Sequence, residues 1–445
     1  MSTSHLLYLF PFLLLACFFV YWAGARTAYA RRVPTAKGDP TAHDWHFFVP
    51  CRDEEAVIAT TVTRLRSDFP TARVWVVDDA SEDLTASIVA RLADRDPAVR
   101  LVSRRLPDAR TGKGAALNAA YAALGAELHG ADRDRVVVCV VDADGQVSPE
   151  ALDRVSGPDG FADPETGGVQ IGVRMRNTDD PRPLPHRGRL ANAYARLLIR
   201  VQDMEFATSN SGMQLLRRRT GSVGLGGNGQ FTRLTALDRI AAAEGGRPWQ
   251  HDALLEDYEL GLQMRLTGHR VTHVHDTWVT QEALPHTRRF LAQRTRWAQG
   301  NIQCVRMAGR IVSSRHYRLS GVLEALYTFF QPLAHLVTLL LTVVMVAALV
   351  MDDGTTLATW PLALLLAAAS LVPFLLWGPV YRRDFAPGRS RFTGLLWGLA
   401  LWLYAYHLFV VCTRACLRIL RGRTGWAKTR RNAEKAGIGP VAIES

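Results

Sequence analysis

Residues 135–144 read Arg135-Val136-Val137-Val138-Cys139-Val140-Val141-Asp142-Ala143-Asp144, an apolar run that ends in two carboxylates. Such a run predicts a β-strand. Shorter apolar runs at residues 46–51, 73–77 and 99–103 predict three more strands, and helical stretches separate them. Because strands alternate with helices, the sequence predicts an α/β fold with a parallel, doubly wound sheet.

Acidic residues follow three of these predicted strands. They are Asp53 and Glu54 after the first, Asp78 and Asp79 after the second, and Asp142 and Asp144 after the fourth. In doubly wound sheets, ligands bind beyond the carboxyl ends of the strands. The sequence therefore predicts a ligand site at this edge of the sheet.

The spacing of Asp142 and Asp144 suggests a divalent metal. Side chains two residues apart at a strand end point to the same side. Their hard oxygens suit Mg²⁺ or Mn²⁺, with water and a diphosphate completing the shell. The alternative is a solvated, Asp-rich turn.

Nucleotide binding is predicted from two features. A carboxylate of Asp78 or Asp79 is suited to accept hydrogen bonds from a ribose or a base N–H, although helix capping by Ser81 or Asp83 is the structural alternative. Lys113 lies between two glycines at a predicted helix start, where backbone N–H groups favour phosphate.

Glu256 and Asp257 open another predicted helix. Acids are stabilised by the dipole at a helix start, which is the structural explanation. The functional one is a general base, which requires a carboxylate facing an acceptor hydroxyl.

A later Arg-rich helix carries Gln293, Arg294, Arg296 and Trp297. Helical spacing places Gln293, Arg296 and Trp297 on one face. An arginine there suits bidentate phosphate binding and a tryptophan suits a sugar channel. The alternative is an amphipathic helix lying on a membrane.

Four apolar segments predict membrane helices: residues 6–23, 329–351, 357–381 and 392–417. Much of the formal net charge of +12 flanks the first and last segments, as on the cytoplasmic side of membrane proteins, so the charge does not indicate nucleic-acid binding. A cleaved signal peptide is the alternative for the first segment, but its start lacks Lys and Arg. The last segment has positive charge at both ends, which leaves its topology open.

The remaining composition fits a bacterial membrane protein with a cytoplasmic catalytic domain. Only four of the 53 basic residues are lysines, as in products of GC-rich genomes. The six cysteines are scattered without a CxxC pair, so no disulfide framework or zinc site is predicted.

In this order the motifs resemble the processive-type family-2 glycosyltransferases, such as the bacterial cellulose, hyaluronan, chitin and poly-N-acetylglucosamine synthases. The resemblance covers about residues 45–310. Its segments are Val49-Pro50-Cys51-Arg52-Asp53-Glu54-Glu55, Asp78-Asp79-Ala80-Ser81, Gly112-Lys113-Gly114, Asp142-Ala143-Asp144, Glu256-Asp257 and Gln293-Arg294-Thr295-Arg296-Trp297.

The resemblance implies a GT-A (Rossmann-like) domain that inverts a nucleotide sugar, usually UDP-linked. It implies these roles: nucleoside contacts from Asp79 and Asp78, diphosphate binding by Lys113, metal ligation by Asp144 with Asp142, a general base at Asp257 beside Glu256, and site closure by Arg296 and Trp297. Asp53, Glu54, Gln293 and Arg294 belong to the same substrate-binding motifs.

Two positions limit the resemblance, and one segment leaves the acceptor sugar undetermined. Asp53 stands where many relatives carry Asn, and Leu255 replaces a Thr often found before the acidic pair. The Gly-rich run at residues 226–231 lies where relatives place acceptor-site residues, but it is equally explained as a turn.

The predicted organisation has five parts: a transmembrane anchor (1–30), the catalytic domain (44–284), interfacial amphipathic helices (285–318), three membrane segments (319–420) and a basic tail (421–445). The expected partners are a nucleotide sugar, a growing polysaccharide and membrane lipids; no export partner is identifiable. The alternatives are a non-processive transferase acting on a lipid, like ceramide or diacylglycerol glucosyltransferases, and an inactive membrane scaffold.

Overall fold

The computed structural model describes residues 3–128, 130, 132–351 and 368–422. The strands are β1 Asp44–Cys51, β2 Arg73–Asp78, β3 Val99–Ser103, β4 Val136–Val140, β5 Gln146–Val147, β6 Thr166–Met175, β7 Gln230–Arg233 and β8 Arg270–Gln281. The helices before residue 245 are α1 Thr3–Ala30, α2 Ile58–Asp68, α3 Thr85–Arg95, α4 Lys113–Glu127, α5 Ala151–Val155, α6 Arg189–Met204, α7 Ser211–Thr220 and α8 Leu234–Ala243. Those after it are α9 Glu256–Leu266, α10 Thr287–Gln303, α11 Ala308–Val312, α12 Leu319–Met351, α13 Trp377–Phe385, α14 Arg391–Ala405 and α15 His407–Leu420.

The strands form one eight-stranded sheet in the order β3-β2-β1-β4-β7-β6-β8-β5. The first four strands are parallel, as predicted. The expectation of a wholly parallel sheet is wrong for the other half, because β7 runs antiparallel to both β4 and β6. β7 has only four residues and pairs with strands that are far away in sequence. No local sequence pattern therefore predicts it.

Strands β1, β2 and β4 are buried on both faces. Phe47 and Val49 contribute to the apolar cluster on one side of the sheet, whereas Phe48 and Trp75 contribute to the cluster on the other. Successive side chains of a strand point to opposite faces, and each face therefore has its own helix-covered core. This two-sided packing leaves the ends of the strands as the place for a ligand.

Two helical stretches in the described part of the chain are long and apolar enough to cross a membrane, Leu319–Val344 and Arg391–Leu420. They correspond to the predicted segments 329–351 and 392–417. The predicted segment 6–23 lies in α1, and 357–381 lies partly outside the described residues. Beyond these two stretches, a multi-pass arrangement stays a prediction.

Buried polar contacts join the apolar helices to the sheet domain. Glu324 of α12 accepts hydrogen bonds from Tyr21 of α1 at 2.5 Å and from Arg217 of α7 at 2.8 Å. Tyr381 of α13 donates to Asp203 of α6 at 2.6 Å. Buried polar groups are strongly disfavoured unless they are paired, so these contacts fix where the apolar helices sit.

Candidate active site

The loops after β1 and β2 are tied to each other. The Asp53 N–H donates to Ser81 Oγ at 2.9 Å, and Asp53 Oδ1 accepts from the Glu82 N–H at 2.8 Å. Asp53 has a left-handed backbone with φ of 52°, which Asp tolerates better than most residues. Buried Glu54 donates its N–H to Thr85 Oγ1 at 2.8 Å. Asp53 and Glu54 therefore shape the rim of the site.

Asp78 and Asp79 are both buried at the end of β2. Asp78 Oδ1 accepts from the Ser81 N–H at 3.3 Å. Asp79 Oδ1 accepts from the Arg104 guanidinium and, at 3.1 Å, from the Arg110 N–H. The structure thus places a basic loop beside the predicted nucleoside-binding acids. The sequence analysis did not identify Arg104 or Arg110.

Lys113, the first residue of α4, lies beside the end of β4. Its Nζ lies 2.7 Å from Asp142 Oδ1. Burial by itself would lower the pKa of Lys113, but the carboxylates of Asp142, Glu256 and Asp257 outweigh this effect and the pKa is raised. Lys113 is therefore a fixed cation at the centre of an acidic cluster.

Gly227 lies against both Asp257 and Lys113. A Cβ added to Gly227 would sit 2.8 Å from Asp257 Oδ2 and 3.2 Å from Lys113 Nζ. The next residue, Asn228, accepts the Asp142 N–H at 3.1 Å and donates to Gln281 Oε1 at 3.0 Å. The Gly-rich run is thus a wall of the site. Its glycines were visible in the sequence, but their contacts were not.

Asp144 is buried and faces a different neighbour from Asp142. Its Oδ2 accepts from the Glu282 N–H at 3.2 Å, and its carbonyl accepts from Arg176 at 2.9 Å. Arg176 in turn pairs with the Glu282 carboxylate at 2.7 Å. Both aspartates follow β4 in a turn closed by the Gly145 N–H donating to the Asp142 carbonyl.

The donor chemistry at Asp142 and Asp144 fits a divalent metal only in part. Two carboxylates are the hard oxygen ligands that Mg²⁺ and Mn²⁺ favour. Among the described residues, however, no group of three or more His, Cys, Asp or Glu side chains is arranged to hold a metal. Mg²⁺ commonly binds to one or two carboxylates together with substrate phosphates, so the site would be completed by a diphosphate.

Glu256 and Asp257 begin α9, next to Lys113. Burial raises the pKa of both carboxyls above their ordinary values, whereas Lys113 and Arg296 act in the opposite direction. A buried carboxylate with a raised pKa accepts a proton more readily than an exposed one. Either residue is therefore chemically suited to act as a general base.

Arg296 of α10 is the cation on the other side of this pair. Its Nε is buried and has no hydrogen-bond partner within the described residues. An unmade hydrogen bond at a buried donor is unfavourable, which suggests that a ligand completes it. Gln293 is half-buried on the same helix.

Arg294 does not face the acidic pair. Its guanidinium forms two hydrogen bonds to Glu205, at 2.6 and 3.1 Å, and a third to Tyr404. It also lies 4.4 Å from the centre of the Trp297 ring, and Trp297 makes an edge contact with Phe206. In this structure the Arg294 guanidinium is engaged by protein groups, so we assign it a structural rather than a substrate-binding role.

His273 of β8 is buried. His273 bonds the Gln170 carbonyl at 2.9 Å, and burial lowers its pKa to about 3.

We expect Gly227→Ala to lower the activity of the chain at least about tenfold, because its Cβ would displace the candidate base Asp257, and small displacements of a reacting group lower the rate strongly. The left-handed φ of 74° adds about 1–2 kcal/mol of destabilisation. Thermal unfolding and initial rates measure the two effects. Gly226→Ala is the control, since its Cβ would have no neighbour closer than 3.6 Å. Equal activity of the two variants would contradict the expected clash between the Cβ at position 227 and Asp257.

The chain matches the model of the family described as "Glycosyltransferase like family 2" over residues 43–300. It is 32% identical over 259 residues to the "Beta-monoglucosyldiacylglycerol synthase" of Synechocystis sp., which covers 57% of this chain and 47% of that protein. The protein of that name from Trichormus variabilis is 29% identical, with 57% and 48% covered. The chain thus spans about half the length of these relatives.

Among solved structures, the chain is similar to a mannosyltransferase from Pyrobaculum calidifontis in complex with GDP-Man and Mn²⁺. The TM-score is 0.55 at 19% identity, with 90% of this chain and 96% of that chain covered. This similarity shows a GT-A-like α/β glycosyltransferase fold, here with a mixed sheet.

Proposed function

We propose that this chain, which belongs to the glycosyltransferase-like family 2, transfers one sugar from a nucleotide-sugar donor to a membrane lipid of the diacylglycerol type. The observation that carries the chemistry is the placement of the Asp257 carboxylate beside Gly227 and Lys113, with the Arg296 cation acting on it. The similarity to two β-monoglucosyldiacylglycerol synthases supports a lipid acceptor over the polysaccharide favoured by the sequence motifs.

The donor would lie across the carboxyl ends of β1, β2 and β4. Buried Asp78 and Asp79 would contact the nucleoside, and the loop held by Asp53 would form its rim. Lys113 and Arg296 would pair with the diphosphate, since both cations border the same acidic cluster.

Asp142 and Asp144 would hold Mg²⁺ or Mn²⁺ together with the diphosphate. When bound, the metal would neutralise charge on the leaving group. The structural neighbour from Pyrobaculum calidifontis contains Mn²⁺, which supports metal use by this fold.

The reaction would be a single displacement with inversion. Asp257 takes the proton of the acceptor hydroxyl, whose oxygen bonds to the anomeric carbon as the bond from that carbon to the diphosphate oxygen breaks. Lys113 and Arg296 stabilise the negative charge that develops on the diphosphate. The products are a β-glycoside and a nucleoside diphosphate, with the proton on Asp257.

The base lies next to the apolar helices. Tyr258, which follows Asp257, makes a ring contact with Phe329 of α12 at 6.4 Å between centroids. Phe329 belongs to the stretch Leu319–Val344, which is apolar enough to cross a membrane. A lipid hydroxyl at the bilayer surface would therefore reach Asp257 without leaving the membrane. We infer a bacterial plasma-membrane location with the catalytic domain in the cytoplasm.

The test uses the detergent-purified full chain with Mg²⁺ or Mn²⁺, diacylglycerol and a panel of UDP- and GDP-sugars. Nucleotide release and product mass are recorded. We expect one sugar on diacylglycerol, and omission of the metal should remove it. A ladder of sugars would support the polysaccharide synthase instead. Absence of turnover with every donor would contradict both and favour the inactive scaffold.

A further inference from the structure

Helices α6 and α7 are joined by a π-helical turn, Glu205–Asn210. Such turns occur frequently at functional sites. The first residue of this turn, Glu205, points its carboxylate at Arg294 of α10, with Oε1 3.1 Å from Nη1 and Oε2 2.6 Å from Nη2. This two-pronged geometry is the strong and directional form of an arginine–carboxylate pair.

A membrane-side tyrosine completes the contact. Tyr404 of α14 donates its hydroxyl to Glu205 Oε2 at 2.7 Å and accepts from Arg294 Nη2 at 3.2 Å. Tyr404 lies within Arg391–Leu420, one of the two stretches apolar enough to cross a membrane. The Arg294 guanidinium is thus held from the sheet domain and from the apolar helices at the same time.

Aromatic rings enclose the same guanidinium. Its central carbon lies 4.4 Å from the Trp297 ring centre, 5.3 Å from that of Phe290 and 5.4 Å from that of Phe206. Only 8% of the Arg294 side chain is exposed. Packing and hydrogen bonds together leave α10 little freedom to rotate or slide at this turn.

Arg296 is two residues further along the same helix. Two residues correspond to about 200° of rotation, so Arg294 and Arg296 project from nearly opposite sides. A helix anchored through Arg294 therefore presents Arg296 to Glu256 and Asp257, whose pKa values it lowers. Because a shift of about 1 Å at a reacting group can lower the rate about 100-fold, this anchoring bears directly on turnover.

We propose that Glu205 and Tyr404 are positioning residues, which act through Arg294 to hold the turn of α10 that presents Arg296 to the acidic pair. The inference rests on the proposed function, since it assigns the contact a role in that reaction. It makes the apolar helix α14 part of the machinery that sets the active-site geometry, in addition to its place beside the membrane.

The test compares Tyr404→Phe and Glu205→Gln with the wild type in the full chain. Each change keeps the size of the side chain. We expect kcat to fall about tenfold while the donor KM changes less than about twofold, because the Arg296 contact matters most as the leaving group departs. As Arg296 moves away, the acidic pair loses a stabilising cation and its pKa values increase. The acid limb of the kcat/KM profile should therefore shift to higher pH by roughly half a pH unit.

Tyr381→Phe is the matched control. It also removes one buried hydroxyl that bonds an acid at the end of α6, Asp203, at 2.6 Å, but it does not touch α10. We expect a comparable loss of thermal stability without a shift of the pH profile. If Tyr404→Phe and Glu205→Gln leave the pH profile and kcat like those of Tyr381→Phe, the positioning role is wrong. A wild type without turnover would instead contradict the proposed function.

Discussion

Asp257→Asn should lower kcat about 1000-fold, a loss within the range for removal of a general base. Asparagine has nearly the same shape, so the wall formed by Gly227 should stay intact. Its amide, however, cannot take up the proton of the acceptor hydroxyl. Binding of the donor should change little, because Lys113 and Arg296 remain. Steady-state rates with diacylglycerol measure the effect on kcat. Calorimetry with the nucleoside diphosphate measures the effect on binding.

Glu256→Gln is the comparison for this prediction. Glu256 is also buried beside Lys113, and its carboxyl also has a raised pKa, so a general loss of negative charge at this point would affect both variants equally. We expect a smaller loss, about tenfold to 100-fold, from altered electrostatics alone. If Glu256→Gln is the more severely impaired variant, the base is Glu256 and not Asp257.

Lys113→Met should be nearly as damaging, with kcat/KM lowered about 100-fold to 1000-fold. The change removes the ammonium group that lies 2.7 Å from Asp142 and leaves three carboxylates facing one another. Of the two cations proposed to pair with the diphosphate, only Arg296 would then remain to compensate this negative charge. Because Lys113 lowers the pKa of both Glu256 and Asp257, its loss raises these pKa values. When the pH is lowered, Lys113→Met should therefore lose its activity at a higher pH than the wild type does.

Initial rates measured over a range of pH test this expectation. Lys113→Arg is the control, because it keeps the charge while changing the shape of the donor group. We expect Lys113→Arg to keep the acid limb near its wild-type position, even where kcat falls. An unshifted acid limb in Lys113→Met would show that Lys113 does not act on the base.

The sequence predicted the first half of the sheet well because each of those strands carries its own apolar run. The boundaries of β1 to β4 fall within two residues of the predicted ones. β7 is recognisable only through its partners, since Phe231 pairs with Cys139 of β4 and with Val169 of β6. Pairing between distant segments is a tertiary property, and periodicity does not report it.

The site shows the same division between local and distant information. Parallel topology predicted that Asp79 and Asp142 would lie at the same edge of the sheet, because the carboxyl ends of parallel strands share one edge. One part of the placement of Arg294 could be predicted, because helical spacing puts its side chain on a different side of the helix from that of Arg296. Its partners, Glu205 and Tyr404, had no such signal, because they lie 89 and 110 residues away from Arg294.

The choice of acceptor was the least predictable property. In the proposed function the acidic and Arg-Trp motifs would bind the donor and perform the displacement, and such motifs are shared by enzymes that glycosylate lipids and enzymes that extend polysaccharides. The contact between Tyr258 and Phe329, from which the proposal argues a lipid acceptor, becomes visible only when α9 and α12 are packed together.

The hydrogen bond between Tyr21 and Glu324 spans 303 residues of the chain, and this separation has a consequence for biosynthesis. A ribosome needs on the order of tens of seconds to synthesise that length. Throughout this interval Tyr21 is without the carboxylate that it later contacts, and Arg217 is without it while the final 107 residues of the interval are made. The hydrogen bond of Tyr21 in α1 therefore cannot form until part of the last third of the chain has been made. A newly made protein reaches its final form only near the end of translation. Shortened versions that stop before Glu324 would leave Arg217 without its counter-ion, which makes the full chain the proper starting material for purification.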